Sequence, residues 1–270
     1  MKAPAFAYAK PKSLEEALEL LERPGARALA GGQSLIPSLN MRLSAPELLV
    51  DINGLCALRG ITLEQGVVRI GALTTHAEIE ADERVRKHVP MLADAVSHVA
   101  HPAIRNRGTI GGSLALADPA AEYPAVVLAL EASIFVAGKK GERMIPAGEF
   151  FRGLFETAVA PGELVTAVEF KAIGKDERSA FLELTRRHGD YAIVGIAAHK
   201  SAQTRFVFFS VGSTPFLASK ASKSKSLEEA KSALREELEP AADLYHTSRT
   251  KLHLAGVLLE RAWNTLSKPH

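Results

Sequence analysis

Two short glycine-centred stretches hold the residues of this chain that are best suited to bind a ligand. The first runs Ala30-Gly-Gly-Gln-Ser-Leu-Ile-Pro37 and the second runs Thr109-Ile-Gly-Gly-Ser-Leu114. Paired glycines lack Cβ atoms and tolerate positive φ angles, so successive backbone N–H groups can converge on an anion. Short polar side chains in the stretches can add hydrogen bonds: Gln33, Ser34, Thr109 and Ser113. The ligand that this chemistry favours is a pyrophosphate.

Each Gly-Gly pair taken alone is also typical of a tight turn that binds nothing. The presence of two such stretches favours a ligand site. Neither one matches the dinucleotide fingerprint G-x-G-x-x-G or the phosphate loop G-x-x-x-x-G-K-[ST], which disfavours a Rossmann site and a P-loop site. The residues by themselves therefore indicate a phosphate-bearing cofactor and go no further.

Charge and cysteine content exclude other kinds of site. The 270 residues carry 33 basic and 31 acidic side chains, a formal net charge of +2, which gives no broad attraction for nucleic acid or anionic lipid. One cysteine excludes an intramolecular disulfide, and it is too few for an iron–sulfur cluster, which needs four in its common forms. Cys56 lies in an apolar stretch, so we expect a buried structural thiol. No metal site is predicted.

The sequence predicts no insertion into a membrane. No apolar run reaches the ~20 residues that span a bilayer. The segment from Met1 to Pro11 is broken by Pro4 and Pro11 and contains Tyr8 and Lys10, and it lacks the apolar core of a secretory leader. The expected location of the chain is therefore the cytoplasm.

The elements around the first glycine stretch form a small α/β unit. Ser13 and Glu16 have the spacing of a capping box at the start of a helix, which Pro24-Gly25 ends. Arg27 to Ala30 is typical of a strand that runs directly into the glycines. A short helix near residues 36–43 is expected to follow.

A second unit surrounds the second glycine stretch. Strands are predicted at residues 67–70, 133–136 and 164–170, and helices at 91–98 and 120–130. Thr75 and Glu78 repeat the capping-box spacing before another helix, and Gly138-Lys-Lys-Gly141 is a turn signal. The segment from Ala172 to Arg178, with one glycine and four charges, is predicted to be a domain boundary.

The predicted pattern of strands and helices changes in the remainder of the chain. Three strand-like runs at residues 180–185, 192–199 and 205–211 have short polar connections, which is typical of a small antiparallel sheet. Two helices follow, one capped by Ser226 and Glu229 and one amphipathic at about residues 249–266. The lysine- and serine-rich run from Lys220 to Ser226 predicts a solvated loop.

Several segments of the chain resemble those of a known family. Both glycine stretches, together with Ile104-Arg-Asn-Arg-Gly108 before the second and Ala117-Asp-Pro-Ala-Ala-Glu122 after it, resemble the flavoprotein subunit of the xanthine dehydrogenase and carbon monoxide dehydrogenase family of molybdenum hydroxylases. Three more segments resemble that family in order and spacing: 70–76 (Ile-Gly-Ala-Leu-Thr-Thr-His), 150–153 (Phe-Phe-Arg-Gly) and 186–194 (Arg-Arg-His-Gly-Asp-Tyr-Ala-Ile-Val). The resemblance extends from Phe6 to about Trp263.

The resemblance implies an α+β fold in two parts. Residues 1–172 would form a two-lobed FAD-binding domain of the vanillyl-alcohol oxidase type, with lobes at about 1–58 and 59–172. Residues 173–270 would form a C-terminal α+β domain, built from a three-stranded antiparallel sheet and helices. The strand runs read from the sequence agree with this arrangement.

The resemblance also implies the site residues of a non-covalently bound FAD. Its pyrophosphate would lie between the lobes, gripped on one side by Ala30, Gly31, Gly32, Gln33, Ser34 and Leu35, and on the other by Thr109, Ile110, Gly111, Gly112 and Ser113. Asp118 and Glu122 would lie near the ribose and adenine, and Tyr191 against the isoalloxazine. Three positions depart from the family pattern, in which asparagine, histidine and aspartate are frequent: Ser113, Leu116 and Glu122. Leu116 removes an imidazole contact.

Several of these side chains have an alternative role. Asp118 precedes a proline and is as well suited to cap a helix as to contact FAD. Tyr191 is either a core aromatic or a flavin contact, and the Gly189-Asp190 turn beside it favours the latter. Arg186 and Arg187 are typical of surface or interface charges, and His188 is expected to be solvated.

The function that the resemblance implies is electron transfer. A partner large subunit with molybdopterin would oxidise the substrate, a small subunit with two [2Fe-2S] clusters would relay the electrons, and FAD on this chain would pass them to an external acceptor. No catalytic acid, base or nucleophile is needed here, because the flavin itself exchanges the electrons. Two other functions stay open: a free-standing flavin enzyme of the same fold, and a non-catalytic nucleotide-binding module. The extra segment after Phe170 favours the electron-transfer subunit over the free-standing flavin enzyme.

Overall fold

The structure, a computed structural model, describes residues 2–268. Met1, Pro269 and His270 lie outside the described residues. Met1 is also the first residue of the segment that was predicted not to be a secretory leader. Within the described range, no helix has both the length and the apolar character that crossing a membrane requires.

The first lobe is a three-stranded parallel sheet with two helices. In chain order its elements are β1 (Ala7–Ala9), α1 (Leu14–Leu21), β2 (Ala26–Leu29), α2 (Leu35–Asn40) and β3 (Leu48–Asp51), followed by a 3₁₀ turn at Cys56–Leu58. The sheet order is β1-β3-β2. The predicted strand is β2, and the Ser13 side chain caps α1 through the backbone N–H of Glu16, as expected. The central strand β3 was not predicted.

The second lobe wraps seven helices around a five-stranded antiparallel sheet of order β4-β5-β10-β6-β7. Its elements are β4 (Ile61–Glu64), β5 (Val67–Gly71), α3 (His76–Ala81), α4 (Glu83–His88), α5 (Pro90–His98), α6 (Pro102–Arg105), α7 (Ile110–Leu116), α8 (Glu122–Ala129), β6 (Ser133–Gly138), β7 (Gly141–Pro146), α9 (Ala147–Phe150), β8 (Phe151–Gly153), β9 (Glu156–Thr157) and β10 (Leu164–Lys171). The helix α8 is buried along its whole length, so it forms the centre of the core.

The C-terminal part contains the predicted antiparallel sheet. Its elements are β11 (Arg178–Leu184), β12 (Val194–Lys200), β13 (Thr204–Phe209), β14 (Phe216–Leu217), α10 (Ser219–Ser222), α11 (Leu227–Glu237) and α12 (Ser248–Ser267). The two-residue strand β14 lies at one edge of this sheet and adds a fourth strand to the three expected. The two-lobed α/β region followed by a small antiparallel sheet confirms the expected fold class.

The C-terminal sheet is covered on both faces. One face packs on α11 and α12, whereas the other, through Phe181, Ala197, Val207 and Phe209, joins the same buried cluster as α8. The second lobe and this sheet therefore share a continuous hydrophobic core. The division of the chain at residues 172 and 173 stays a prediction.

Two local expectations were wrong. Cys56 is exposed, because it lies in the 3₁₀ turn with Leu55 and Leu58 facing the core and the thiol facing outward. The lysine- and serine-rich run is partly helical, because α10 buries Ala221 and the Ser222 hydroxyl accepts a hydrogen bond from the backbone N–H of Phe206. Both errors arise from contacts that the local composition does not encode.

Candidate functional site

The first glycine loop, residues 30–35, leaves the end of β2 and is held from the neighbouring strand. The Asn53 side-chain amide donates hydrogen bonds to the carbonyl oxygens of Leu29 (3.3 Å) and Ala30 (2.8 Å) and to the Asp51 carboxylate (2.8 Å). These bonds close the start of the loop onto the end of β3. Asn53 was not singled out from the sequence, since its partners in the loop, Leu29 and Ala30, lie more than twenty residues away.

The first loop exposes unpaired donors. Gly32 has a φ of 74°, a left-handed conformation that glycine adopts without strain. The backbone N–H groups of Gly32, Gln33 and Ser34 have no acceptor among residues 2–268, and neither has the Ser34 hydroxyl. The Gln33 amide instead donates to the carbonyl oxygen of Gly31 (3.1 Å) and stabilises the loop from within. Three adjacent free N–H groups are the donor set that an anion needs.

The second glycine loop, residues 109–113, is constructed differently. Its N–H groups are already used: those of Ile110 and Gly111 donate to the carbonyl oxygens of Thr74 (3.1 Å) and Ala72 (2.9 Å), and that of Gly112 donates to the Thr109 hydroxyl (3.1 Å). The expectation that both loops offer free N–H groups holds for the first loop only. The second loop is the capped start of α7, and it presents the exposed Gly112 and the unpaired Ser113 hydroxyl.

The two loops are in direct contact through glycine. A Cβ on Gly31 would lie 2.1 Å from the carbonyl oxygen of Arg107 and 2.8 Å from the Cα of Gly108. Gly112 lies across from Ala30, whose Cβ would be 4.0 Å from a Cβ at position 112. The structure thus brings the two predicted loops together at the junction of the two lobes.

A buried histidine supports this junction. The His76 backbone N–H donates to the carbonyl oxygen of Gly108 (2.9 Å), and its ring Nδ1 lies 3.0 Å from the hydroxyl of the fully buried Tyr123. Burial, together with the positive charge of Arg105, lowers the pKa of His76 to about 4. The imidazole is therefore neutral near pH 7 and acts as a packing and hydrogen-bonding group. The sequence signal that could have identified His76 was its place in the segment 70–76, which resembles the flavoprotein family.

Asp118 and Tyr191 lie together rather than at opposite ends of the site. Both line a cavity of about 380 Å³ whose wall also includes Arg186 and Tyr245. Loss of water around its hydroxyl and the nearby carboxylate of Asp118 raise the pKa of Tyr191. The resemblance assigned these two side chains to opposite ends of the cofactor, whereas the structure brings them together.

The other predicted side chains are placed as follows. The Asp118 carboxylate accepts from the backbone N–H of Ala120 (2.9 Å) in the turn before α8. It does not cap that helix, whose N-cap is Ala121, so the helix-capping alternative is not observed. Tyr191 is 69% exposed and is not a core residue. Arg186 lies over the ring of Tyr245 at 4.7 Å.

Glu122 is buried, with 7% of its surface exposed. Burial and the negative charges of Glu183 and Asp118 raise its pKa to about 8, so the carboxyl group carries its proton near neutral pH. Glu183 is also buried, and its Oε1 lies 3.0 Å from Nδ1 of His98, whose pKa it raises. A side chain so enclosed offers little surface to a ligand. Glu122 is therefore part of the packed interior, close enough for its charge to influence Tyr191.

The donor set fits a flavin nucleotide bound across the loops. The N–H groups of Gly32, Gln33 and Ser34 suit a pyrophosphate, and the absence of a Cβ atom at the exposed Gly112 keeps the approach open. Tyr191 offers an exposed aromatic face for a planar ring at the end where Asp118 lies. Among residues 2–268, no cluster of histidine, cysteine and acidic side chains could hold a metal ion.

Comparison with known proteins agrees with this geometry. Residues 4–170 match the family described as "FAD binding domain in molybdopterin dehydrogenase", and residues 179–266 match "CO dehydrogenase flavoprotein C-terminal domain". The chain is 47% identical to the 6-hydroxypseudooxynicotine dehydrogenase complex subunit alpha of Paenarthrobacter nicotinovorans, over 73% of this chain and 68% of that protein. It is 36% identical to the carbon monoxide dehydrogenase medium chain of Hydrogenophaga pseudoflava, over 98% of both.

A solved structure is similar over nearly the whole chain. Quinoline 2-oxidoreductase from Pseudomonas putida 86 superposes with a TM-score of 0.92 at 36% identity, covering 98% of each chain. Sequence family, full-length relatives and fold agree with one another and with the paired glycine loops. This chain belongs to the family of FAD-binding medium subunits of the molybdenum hydroxylases.

Proposed function

We propose that this chain binds FAD non-covalently across the two glycine loops and carries electrons from the [2Fe-2S] clusters of a partner subunit to an external acceptor. The observation that carries the proposal is the set of three adjacent N–H groups at Gly32, Gln33 and Ser34 that have no acceptor among residues 2–268, in a loop that contacts the second loop. No cysteine or histidine lies within either loop, so nothing there supports a covalent flavin link.

The residues of the chain would bind and orient, while FAD when bound supplies the exchange of one or two electrons. The first loop would bind the pyrophosphate through its N–H groups, and Asn53 would keep that loop closed onto β3. Gly112 and Ser113 would approach from the start of α7. Tyr191 would pack on the isoalloxazine, and Asp118 would lie at that same end of the cofactor.

The partners follow from the family and from what the chain lacks. One cysteine cannot ligate the clusters of an electron path, so these must lie on another subunit. We infer a molybdopterin-binding large subunit that oxidises the substrate and a small subunit with [2Fe-2S] clusters. The medium-chain carbon monoxide dehydrogenases among the relatives support this assembly. We further propose that the complex is cytoplasmic and that residues 1–172 and 173–270 are its two domains here.

Purification of the chain alone and with its partner subunits tests the proposal. The lone chain, loaded with FAD, should be reduced by dithionite, and acid precipitation should release the yellow cofactor. It should not reduce a dye with purines, aldehydes, carbon monoxide or N-heterocycles as substrates until the other two subunits are added. Substrate oxidation by the lone chain would favour a free-standing flavin enzyme. A protein that never binds flavin, alone or assembled, would favour a non-catalytic module.

A further inference from the structure

A buried arginine lies behind the second glycine loop and outside both the loops and the cavity. Arg105, the last residue of α6, is 8% exposed. Its Nε and Nη2 donate to the two carboxylate oxygens of Glu80 on α3 (2.9 and 3.2 Å). Its Nη1 donates to the carbonyl oxygens of Val99 (3.1 Å) and Ala100 (3.2 Å). A planar guanidinium can serve a carboxylate and two carbonyls at once, which a lysine ammonium cannot reproduce in the same geometry.

The backbone that Arg105 holds is the surface on which the Tyr191 turn rests. Ala100 has a φ of 44°, an unusual conformation for a residue with a side chain, which the bonds from Arg105 help to maintain. Gly189, with a φ of 84°, is so close that a Cβ there would lie 2.6 Å from the Ala100 carbonyl oxygen and 2.8 Å from Cε1 of His101. The turn that carries Tyr191 therefore packs directly on an Arg105 acceptor.

The helix that carries Arg105 leads directly into the second glycine loop. The backbone N–H groups of Arg107 and Gly108 donate to the carbonyl oxygen of Ile104, so the segment after α6 is a tight continuation of that helix. The carbonyl oxygen of Arg107, in this segment, is the group that contacts Gly31 of the first loop. The segment that contains Arg105 thus connects the glycine loops with the backbone on which the Tyr191 turn packs.

We propose that Arg105 is a positioning residue that fixes the Tyr191 turn relative to the glycine loops and so sets the surroundings of the flavin ring without touching it. The inference rests on the proposed function, because it takes Tyr191 as the ring's neighbour. Loss of the Arg105 bonds leaves the carbonyl of Ala100 free to rotate, and the turn that packs on it through Gly189 then samples several positions. The flavin would stay bound by the loops but lose a fixed aromatic neighbour.

The test uses the assembled complex with Arg105→Lys, which keeps the charge, and Gly189→Ala, which breaks the same contact from the other side. Tyr191→Ala is the reference, and Arg84→Gln, at an exposed arginine of α4, is the control. A stacked tyrosine quenches flavin fluorescence. We expect both test variants to retain FAD but to raise its fluorescence about threefold or more toward the Tyr191→Ala level, and to shift its midpoint potential in the same direction as Tyr191→Ala.

A double-mutant cycle separates positioning from general destabilisation. In the Tyr191→Ala background, Arg105→Lys should change neither the fluorescence nor the potential further, because the ring that it positions is gone. In the FAD-free chain, amide hydrogen exchange should accelerate in residues 186–191 of the Arg105→Lys variant and stay unchanged in α8.

Native fluorescence, native potential and native exchange in Arg105→Lys would overturn this inference, and so would effects that simply add to those of Tyr191→Ala. Gly189→Ala keeps the test decisive if an Arg105 variant does not fold. A wild-type complex without flavin would instead contradict the proposed function, and the exchange measurement on the FAD-free chain would still decide whether Arg105 orders the turn.

Discussion

Gly111 packs so closely on Ala72 that a Cβ at position 111 would stand 2.4 Å from the Cβ of Ala72 and 2.8 Å from its carbonyl oxygen. This contact joins the start of α7 to the segment that follows β5. The next residue, Gly112, is exposed and faces the first loop. The two glycines of one motif therefore serve different purposes, one in the fold and one in ligand approach.

Gly111→Ala is expected to lower the free energy of unfolding by about 1–3 kcal/mol, the usual cost of overpacking a closed contact. Gly112→Ala should cost less stability, since its added methyl would meet the Thr109 hydroxyl that caps α7 (2.9 Å) but no backbone atom, and it should weaken FAD binding. Urea denaturation of the FAD-free chain and titration with FAD measure the two effects. Equal losses of stability in both variants would contradict this division.

Gly32→Val is expected to abolish FAD binding while the fold persists. Gly66→Val is the matched control, because Gly66 has a nearly equal φ (78° against 74°) and open space around it in the β4–β5 turn. Both substitutions impose the same kind of backbone strain, but only position 32 lies among the free N–H groups. Flavin absorbance per protein after gel filtration gives the answer. Stoichiometric flavin in the Gly32 variant would remove the first loop from the site.

Asn53→Ala should weaken FAD binding about tenfold, because the carbonyl oxygen of Ala30 loses its donor, that of Leu29 keeps only the N–H of Ile52, and the first loop opens. The expected signature is a faster dissociation of FAD with little change in the far-ultraviolet circular dichroism. Asn264→Ala, at an exposed position of α12, serves as the control. An unchanged dissociation rate would show that the loop is held by its other contacts.

The stability of the chain should fall as the pH rises from about 6.5 to about 8, because below this range the lowered pKa of His76 opposes the effect of the raised pKa of Glu122. The pKa of Glu122 is 4.5 when unfolded and about 8 when folded, so the folded state binds the extra proton throughout this window and loses that advantage as the proton leaves. The slope reaches at most about 1.4 kcal/mol per pH unit. The raised pKa of His98 acts with the same sign above pH 6.5.

Glu122→Gln keeps the shape of the side chain but removes the ionisable group, so the decline of stability with pH should become flatter. Glu149→Gln, at an exposed position of α9, is the control and should leave the decline unchanged. Urea denaturation at several pH values compares the three proteins. A wild-type curve that rises or stays level over this range would show that Glu122 is ionised in the folded chain.

Features that depend on neighbours in sequence could be predicted from the residues alone. The side-chain caps at Ser13, Thr75 and Ser226 form as expected, because each needs only a partner three residues away. The complete capping box forms at Thr75, whereas Glu16 and Glu229 accept from the N–H of the residue before the cap. The two glycine loops were identified for the same reason, since a motif contains its own turn chemistry. Periodicity of two or 3.6 residues then indicated most strands and helices around them.

Features that depend on distant contacts were decided by the tertiary structure. Asn53 acquires its role from carbonyl groups on another strand. Glu122 keeps its proton because it is buried beside Glu183. Arg105 acquires its role because its acceptor Ala100 lies against the Tyr191 turn. The sequence determined that this chain has two phosphate-type loops and which family it resembles. Only the folded chain decided which loop has free N–H groups and which glycine packs the core, because those properties depend on what lies across the lobe junction.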